Sequence, residues 1–387
     1  MLRNYLLISF RQLYRHKTYS AINIIGFAIG LTACLLMAYY VVDEMTFDQY
    51  FEESENIYRL ITYESESGKT GEEATSKYAI TSGALIAKIK DDIPEIIGSA
   101  RVNTLGNSDI GKYVESDETD DSTSLSARFV EADQDFFNIF SYNLLAGDIT
   151  EAYENSGGVI LTNELAEKIF GSIDPIGKPL RMSSIKDAFV AAVIEKPPHN
   201  THLRFDFIRP LIITDDNRVW LESWENLFGF GYFKVLPGTD RAELFAKIEA
   251  IAEANNFADV FYPVLQPLNE IHFESRELIY DQGNAGKNEL SRVNTVMIIA
   301  IMVLLTASIN FINLATARSS KRSREVGIRK AIGAERSQLI FQYLTETIMM
   351  TVIAMLIAMM MVEILVPAIN LFIDKDFDGS LMRNPLV

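Results

Sequence analysis

Three stretches of this chain constrain its fold more than anything else in it. Ser20–Val42 runs 23 residues without a charged side chain, Val293–Ala317 runs 25, and Leu339–Val366 runs 28 with only Glu346 and Glu363 inside it. At about 1.5 Å of rise per residue, 23 helical residues reach about 34 Å, enough to cross a hydrocarbon core of about 30 Å. The third stretch is longer than that core and must tilt or project beyond it. The first, N-terminal and preceded by basic residues, also has the flank of a cleaved signal peptide. A signal core is about 7–15 residues long and closes on a small-residue cleavage site. Here the run is longer and closes on Tyr39-Tyr40-Val41-Val42-Asp43-Glu44, so an uncleaved anchor is the better reading. Three membrane helices are expected, at 20–42, 293–317 and 339–368.

The net charge of −17 would suggest a soluble acidic protein if it were spread evenly, but it is segregated. Residues 1–42 hold four basic side chains and no acid, and 318–336 hold seven basic against two acidic. Between them, 43–292 holds 22 Lys and Arg against 45 Asp and Glu. Lys and Arg collect on the cytoplasmic side close to span ends. The two basic islands, 1–19 and 318–338, are therefore assigned to the cytoplasm, and the acidic block 43–292 and the tail 369–387 to the outside. An odd number of spans puts the termini on opposite sides, as this requires. The expected fold is three transmembrane α-helices plus a mixed α/β extracytoplasmic domain of two sublobes, in a multi-pass protein of the cell inner membrane. Residues 2–17 alternate apolar and basic positions. They read either as an amphipathic helix lying on the inner surface, held by anionic lipid, or as the ordinary positive flank of the first span.

Polar residues inside the spans mark where helices meet. Gly26 and Gly30 form a small-xxx-small pair of the kind that lets backbones approach closely in lipid. Asn310 and Asn313 share a face of the second span and are expected to contact another helix. Glu346 and Glu363 are costly in lipid. Glu346 lies within about 10 Å of the inner end, by the helical rise, and is expected to pair structurally; Glu363, just before Pro367, can snorkel outward. Cys34, the only cysteine, sits in an apolar run and reads as a small hydrophobe.

In the outer block, Ile57–Tyr63, Ala127–Glu131, Gly158–Leu161 and Phe189–Ile194 have the β-branched and aromatic content of strands. Asn163–Phe170 reads as a helix capped by Asn163 and followed by Gly171, and Asp240–Glu253 as a second helix. Polar residues crowd 64–76 and 106–126, which read as surface loops dividing the sublobes. Chemistry is hard to find. His199 and His202 have a metal-like spacing, but they sit in a proline turn with no third ligand near, and read as a plain loop. The glycines at 283 and 286 lack the spacing and the hydroxyl of a phosphate loop. No catalytic centre, cofactor site or metal site is expected in this chain, and nothing in it points to nucleic acid.

The segment Glu325-Val326-Gly327-Ile328-Arg329-Lys330-Ala331-Ile332-Gly333-Ala334 (EVGIRKAIGA) resembles the cytoplasmic signature of FtsX-like ABC permeases, in its usual place between the second and third spans. FDQYFEESENIYRL (47–60), FFNIFSYNLLAGD (136–148), LTNELAEKIFGSIDPIGKPLRM (161–182), VIEKPPHNTHLRFDF (193–207) and LQPLNEIHF (265–273) resemble a MacB-like periplasmic core domain. The resemblance covers nearly the whole chain. It implies a permease that is not itself an enzyme and works with a separate cytoplasmic ABC ATPase, which would hold the ATP and magnesium. Closure of that ATPase would move the periplasmic domain through the membrane helices, a mechanotransmission. Export of peptide, antibiotic or lipoprotein-like cargo, or control of a periplasmic cell-wall hydrolase, are the family roles; a membrane-anchored sensor is the competing class. The lipid bilayer, a second permease copy and a periplasmic partner complete the partners it implies. Glu325, Val326, Gly327, Ile328, Arg329, Lys330 and Gly333 become the candidates for ATPase coupling, with Glu325 and Arg329 spaced i, i+4 to pair on a short helix that Gly333 ends. The family carries a fourth span; the chain stops at Pro385-Leu386-Val387, where that span would begin, and reads as the N-terminal part of a long-form permease, a fragment or a truncated frame.

Overall fold

The structure, a computed structural model, describes residues 2–64, 75–111, 124–155, 157–182, 185, 187–281, 284, 286–333 and 335–373. In chain order the described helices are α1 (Leu2–Arg15), α2 (Lys17–Met45), α3 (Gly83–Asp92), α4 (Phe136–Ile139), α5 (Ile149–Glu154), α6 (Asn163–Phe170), α7 (Asp215–Leu221), α8 (Arg241–Ala254), α9 (Ile271–Glu274), α10 (Leu290–Ala331) and α11 (Arg336–Ile373). The strands are β1 (Ile57–Glu64), β2 (Ser76–Tyr78), β3 (Thr81–Ser82), β4 (Ile96–Gly111), β5 (Ser124–Ala132), β6 (Leu144–Gly147), β7 (Gly158–Thr162), β8 (Pro179–Leu180), β9 (Ala188–Ile194), β10 (Phe207–Pro210), β11 (Leu227–Val235) and β12 (Phe261–Pro267). They fall into two compact units, a helical one from 1–45 and 290–387 and an α/β one over Thr46–Glu289.

In the helical unit, three helices are long and apolar enough to span a membrane: Lys17–Met45, Leu290–Ala317 within α10, and Arg336–Asn370 within α11. α2 packs on both α10 and α11, and α1 packs on α11. Most of their apolar surface points outward. Ile298, Ile301, Leu305, Ile309 and Ile312 line one exposed face of α10, and Ile348, Val352, Leu356, Met360 and Ile364 one of α11. Exposed isoleucines at helical spacing are what a lipid-facing stripe requires, since lipid and not protein covers them. The second span and the basic segment after it, expected as separate elements at 317/318, form one helix of 42 residues. No proline or glycine interrupts it before Gly327, and its intrahelical bonds need no partner in either medium. α11 likewise continues through Pro367 to Ile373.

The α/β unit is built on one sheet of order β12-β1-β11-β4-β5-β10-β7-β9-β6, with β2, β3 and β8 paired off the main path. The two expected sublobes share it. At one end α3 and α8 close a core of Leu60, Ile86, Ile89, Phe233, Ile248 and Leu265; at the other α6 closes one of Val159, Leu161, Ile169, Val190 and Phe207. A third cluster around Phe136, Phe140, Phe205 and Tyr232 joins them. The four strands expected from sequence are present as β1, β5, β7 and β9. The cap of α6 is corrected: Thr162, not Asn163, accepts from Leu165 N–H at 3.4 Å, and Asn163 uses its amide oxygen on Lys196 N–H instead. The expected loop 106–126 is also corrected, because 106–111 and 124–126 are strand, paired from Asn107↔Arg128 to Gly111↔Ser124. The rest of that loop, 112–123, and 65–74 lie outside the described residues.

Candidate functional site

A buried polar cluster of the α/β unit lies where its first and last segments reach the sheet. In the antiparallel register, Gln266 on β12, Arg59 on β1 and Tyr232 on β11 stand side by side across three adjacent strands. Cross-strand neighbours share a face of the sheet, and this face is closed: Arg59 and Tyr232 are fully buried and Gln266 nearly so. A guanidinium in such a place must have every donor engaged. Arg59 Nη1 donates to Asp281 Oδ1 at 2.7 Å, Nη2 to Gln266 Oε1 and Ser275 Oγ at 2.8 Å each, and Nε again to Gln266 Oε1 at 3.2 Å. Its plane lies 5.6 Å from the Phe230 ring centre. Asp281 takes a second cation, Lys287 Nζ at 2.9 Å, and the Asn284 amide donates to it at 3.1 Å.

The other end of the row meets the inbound segment. Asp48 Oδ1 accepts from His202 N–H at 2.9 Å and lies 2.8 Å from His202 Nδ1, while His202 Nε2 lies 2.8 Å from the Tyr232 hydroxyl. Burial pushes the Tyr232 phenol up from its usual pKa, with the Arg59 charge opposing. It therefore keeps its proton, and carboxylate, imidazole and hydroxyl form one hydrogen-bonded chain. A carboxylate, an imidazole and a hydroxyl in line is also how a nucleophile is activated. Here the hydroxyl and both partners are sealed from solvent, so no substrate reaches them and the chain is structural. Tyr142 nearby is half-buried with its hydroxyl turned inside, and its pKa is raised well above the ordinary value by burial and then by the Asp48 charge. Phe47 stacks on His272 with ring centres 3.8 Å apart and 13° between planes.

The sequence puts His202 in a loop, as the structure has it, but not its burial: it is fully buried on Asp48, 154 residues away. Arg59 and Asp281 stand out by no motif, and lie 222 residues apart. The only sequence signal is the charge itself, one arginine in the apolar strand IYRLITYE. Among the described residues no group of His, Cys, Asp and Glu could hold a metal ion.

In the helical unit, Gly30 lets α2 lie close against α10: a Cβ placed on it would lie 2.4 Å from Ala307 Cβ. On Gly26 a Cβ would lie 3.7 Å from Asn310 Nδ2, and Phe27 meets Phe311 at 5.0 Å. Asn310 and Asn313 stay largely accessible, Glu346 is buried and Glu363 exposed. Asn23, which belongs to no pair or motif in the sequence, is buried in α2.

The motif residues Val326–Ala331 occupy the last turns of α10. The helix stops at Gly333, whose φ of +99° is a conformation glycine adopts without penalty. Gly327 and Lys330 are exposed, as are Ile328 at 55% and Ile332 at 81%, one turn apart. The expected Glu325–Arg329 pair involves side chains outside the described residues.

A family profile described as "MacB-like periplasmic core domain" matches residues 20–251, and one described as "FtsX-like permease C-terminal" matches 297–385. The pyoverdine export ATP-binding/permease protein PvdT of Pseudomonas syringae pv. syringae is 24% identical over 364 residues, covering 89% of this chain and 49% of that protein. The uncharacterized ABC transporter permease YvrN of Bacillus subtilis is 24% identical over 227 residues, covering 57% and 53%. The macrolide export ATP-binding/permease protein MacB of Bdellovibrio bacteriovorus is 22% identical, covering 50% and 28%. The chain thus spans about half or less of the length of these curated relatives. Among solved structures, a domain of a putative permease from Porphyromonas gingivalis is 22% identical over 56% of this chain and 91% of its own, at a TM-score of 0.45. The periplasmic region of MacB from Actinobacillus actinomycetemcomitans is 10% identical over 53% and 87%, at 0.35. On the two matching profiles, in chain order and covering most of the sequence, the chain belongs to the ABC transporter permeases that carry a MacB-like periplasmic core domain and an FtsX-like permease domain.

Proposed function

We propose that this chain is the membrane component through which a cytoplasmic ABC ATPase moves an extracytoplasmic α/β domain. The observation that carries the reading is α10. One uninterrupted helix begins directly after the last residue of the α/β unit, includes an apolar stretch long enough to span a bilayer, and ends in the EVGIRKA segment. A continuous helix is stiff along its axis, so displacement at one end is delivered at the other. On this reading the basic islands face the cytoplasm of an inner-membrane protein, and Val326–Gly333 dock on the ATPase through Lys330, the neighbouring Arg329 and the exposed pair Ile328 and Ile332. Isoleucines left 55% and 81% exposed next to a basic residue suit a groove on a partner better than open water. ATP and magnesium are held by that partner. The relatives named for pyoverdine and macrolide export make outward movement of a small molecule or peptide the leading cargo class. Gly26, Gly30 and Glu346 belong to the packing of the moving helices, with Asn310 beside Gly26, while Asn313 stays outside it.

The test is ATPase stimulation in reconstituted membranes. Gly333→Pro, or Arg329→Glu with Lys330→Glu, should abolish stimulation of the ATPase while membrane insertion stays as in the parent. A variant that inserts, co-purifies with the ATPase and stimulates it fully removes the docking role.

A further inference from the structure

The α/β unit has two chain connections to membrane helices, at Thr46 after α2 and at Glu289 before α10. A domain moved through two connections faces a mechanical problem. Force arrives on short terminal segments, and these fray before a sheet does unless something fixes them to it. The inbound segment holds Phe47 and Asp48; the outbound segment holds His272, Ser275 and Asp281. The two segments touch through the Phe47–His272 stack at 3.8 Å. Each also drives a carboxylate into the same buried polar row: Asp48 through His202 onto Tyr232 of β11, and Asp281 onto Arg59 of β1. Tyr232 and Arg59 are cross-strand partners, so the two anchors end on adjacent residues of neighbouring strands, the second and third from the β12 edge of the sheet.

The backbone reinforces both anchors. Asp48 N–H donates to Asn200 C=O at 2.8 Å, and Asn200 Nδ2 reaches Thr46 Oγ1 at 3.2 Å. Asn288 N–H donates to His272 C=O at 3.1 Å, and Ile279 N–H to Lys77 C=O at 2.8 Å. Tyr280, directly before Asp281, holds a φ of +55°, a conformation that strains a bulky residue and persists only where its surroundings enforce it. The buried Asp281–Arg59 pair supplies that enforcement. Placing two carboxylates, an arginine and a histidine in a sealed interior does little for stability compared with an apolar core. What such groups give is directional fixation, because each breaks only if a charge is left uncompensated.

We infer that Asp48, His202, Tyr232, Arg59 and Asp281 are positioning residues that clamp the inbound and outbound segments to each other and to β1 and β11, so that pulling on either membrane connection moves the whole sheet instead of peeling its end. The inference rests on the proposed permease action for its purpose, but its geometry can be tested without the ATPase.

The experiment is hydrogen exchange on the full chain in lipid nanodiscs, read on peptides covering 46–53 and 271–289. Tyr232→Phe removes one hydroxyl and keeps the ring, so it leaves the fold intact. It should raise exchange at least tenfold in the inbound segment and several-fold in the outbound one. Asp281→Asn, at the opposite end of the row, should do the same with the two segments exchanged in order. Lys90→Ala, at the exposed Lys90–Asp135 pair, should change neither. If each variant loosens only its own segment, the clamp is refuted. Should Asp281→Asn not fold, Tyr232→Phe alone decides, since exchange confined to 46–53 overturns the proposal. Failure of the permease reading would appear differently, as an unmodified chain whose segments stay linked while ATP turnover moves nothing.

Discussion

Removing one member of the Arg59–Asp281 pair should cost more at the aspartate than at the arginine, a difference set by Lys287. Breaking a buried ion pair by deleting one partner costs about 3–5 kcal/mol, because the remaining charge is stranded. In Arg59→Met, Asp281 is not stranded: Lys287 Nζ stays 2.9 Å away. The loss should fall near about 3 kcal/mol. In Asp281→Asn, Arg59 and Lys287 face one another with no anion between them, and Arg59 keeps only Gln266 and Ser275. The loss should approach about 5 kcal/mol. The double variant Arg59→Met, Asp281→Leu leaves Lys287, whose side chain is 24% exposed and can turn to water, and Gln266 and Ser275, which already bond each other at 3.2 Å. It should be milder than Asp281→Asn alone, which puts it about 3 kcal/mol or more below the sum of the two single losses. Both tryptophans of the chain, Trp220 and Trp224, lie in the α/β unit. Their fluorescence during urea titration in detergent therefore reports on that unit. With a slope of about 3 kcal/mol per molar urea, the midpoint should fall by about 1 M for Arg59→Met and by nearly 2 M for Asp281→Asn. Equal losses, or a double variant whose loss is the sum, would refute the charge argument.

Two further outcomes follow from packing and protonation. Burial raises the pKa of the Tyr142, Tyr153 and Tyr232 phenols above the unfolded value near 10. The stability they contribute is complete below pH 10 and is lost as pH rises beyond it, at about 1.4 kcal/mol per pH unit for each phenol. The urea midpoint should stay flat from pH 7 to 9 and drop steeply above 10, and Tyr153→Phe should make that drop shallower; an unchanged slope would contradict it. Gly30→Ala should force α2 away from α10 at a cost of about 1–3 kcal/mol, lowering the melting temperature followed with a thiol-reactive dye at half-buried Cys34, and Ala307→Gly in the same chain should restore it.

The spans are legible in the sequence because buried helices of soluble proteins rarely run more than about 20 residues without a charge. β1, β7, β9 and α6 are legible because their apolar periodicity is local. What stays hidden depends on distant neighbours. β11 carries Gly229 and Gly231 in LFGFGYFKV, a poor strand by composition. Gly231 is there because Ile86 of α3 lies 2.7 Å from where its Cβ would sit, which no local pattern reveals. β12 contains Pro263 and Pro267, which an edge strand tolerates. The polar ends of β4 and β5 pair with each other, and the face they bury, Ser108 and Ile110 on β4 and Ala127 on β5, is too short and too polar to read locally. The buried row is the extreme case, since its members are 154 and 222 residues apart and follow no spacing rule. In the membrane segment, the resemblance locates the motif but not its fusion to the second span.

That fusion restricts which changes the sequence can accept. Each residue of an α-helix turns the chain by about 100°. One residue added or lost between Ala317 and Glu325 would leave the lipid-facing stripe of α10 where it is and swing Ile328 and Ile332 a quarter-turn or more around the axis. Substitutions that keep the helix and its basic charge can accumulate over this stretch; insertions and deletions cannot. Among relatives as distant as 24% identity, this length should hold constant while the loops of the α/β unit vary.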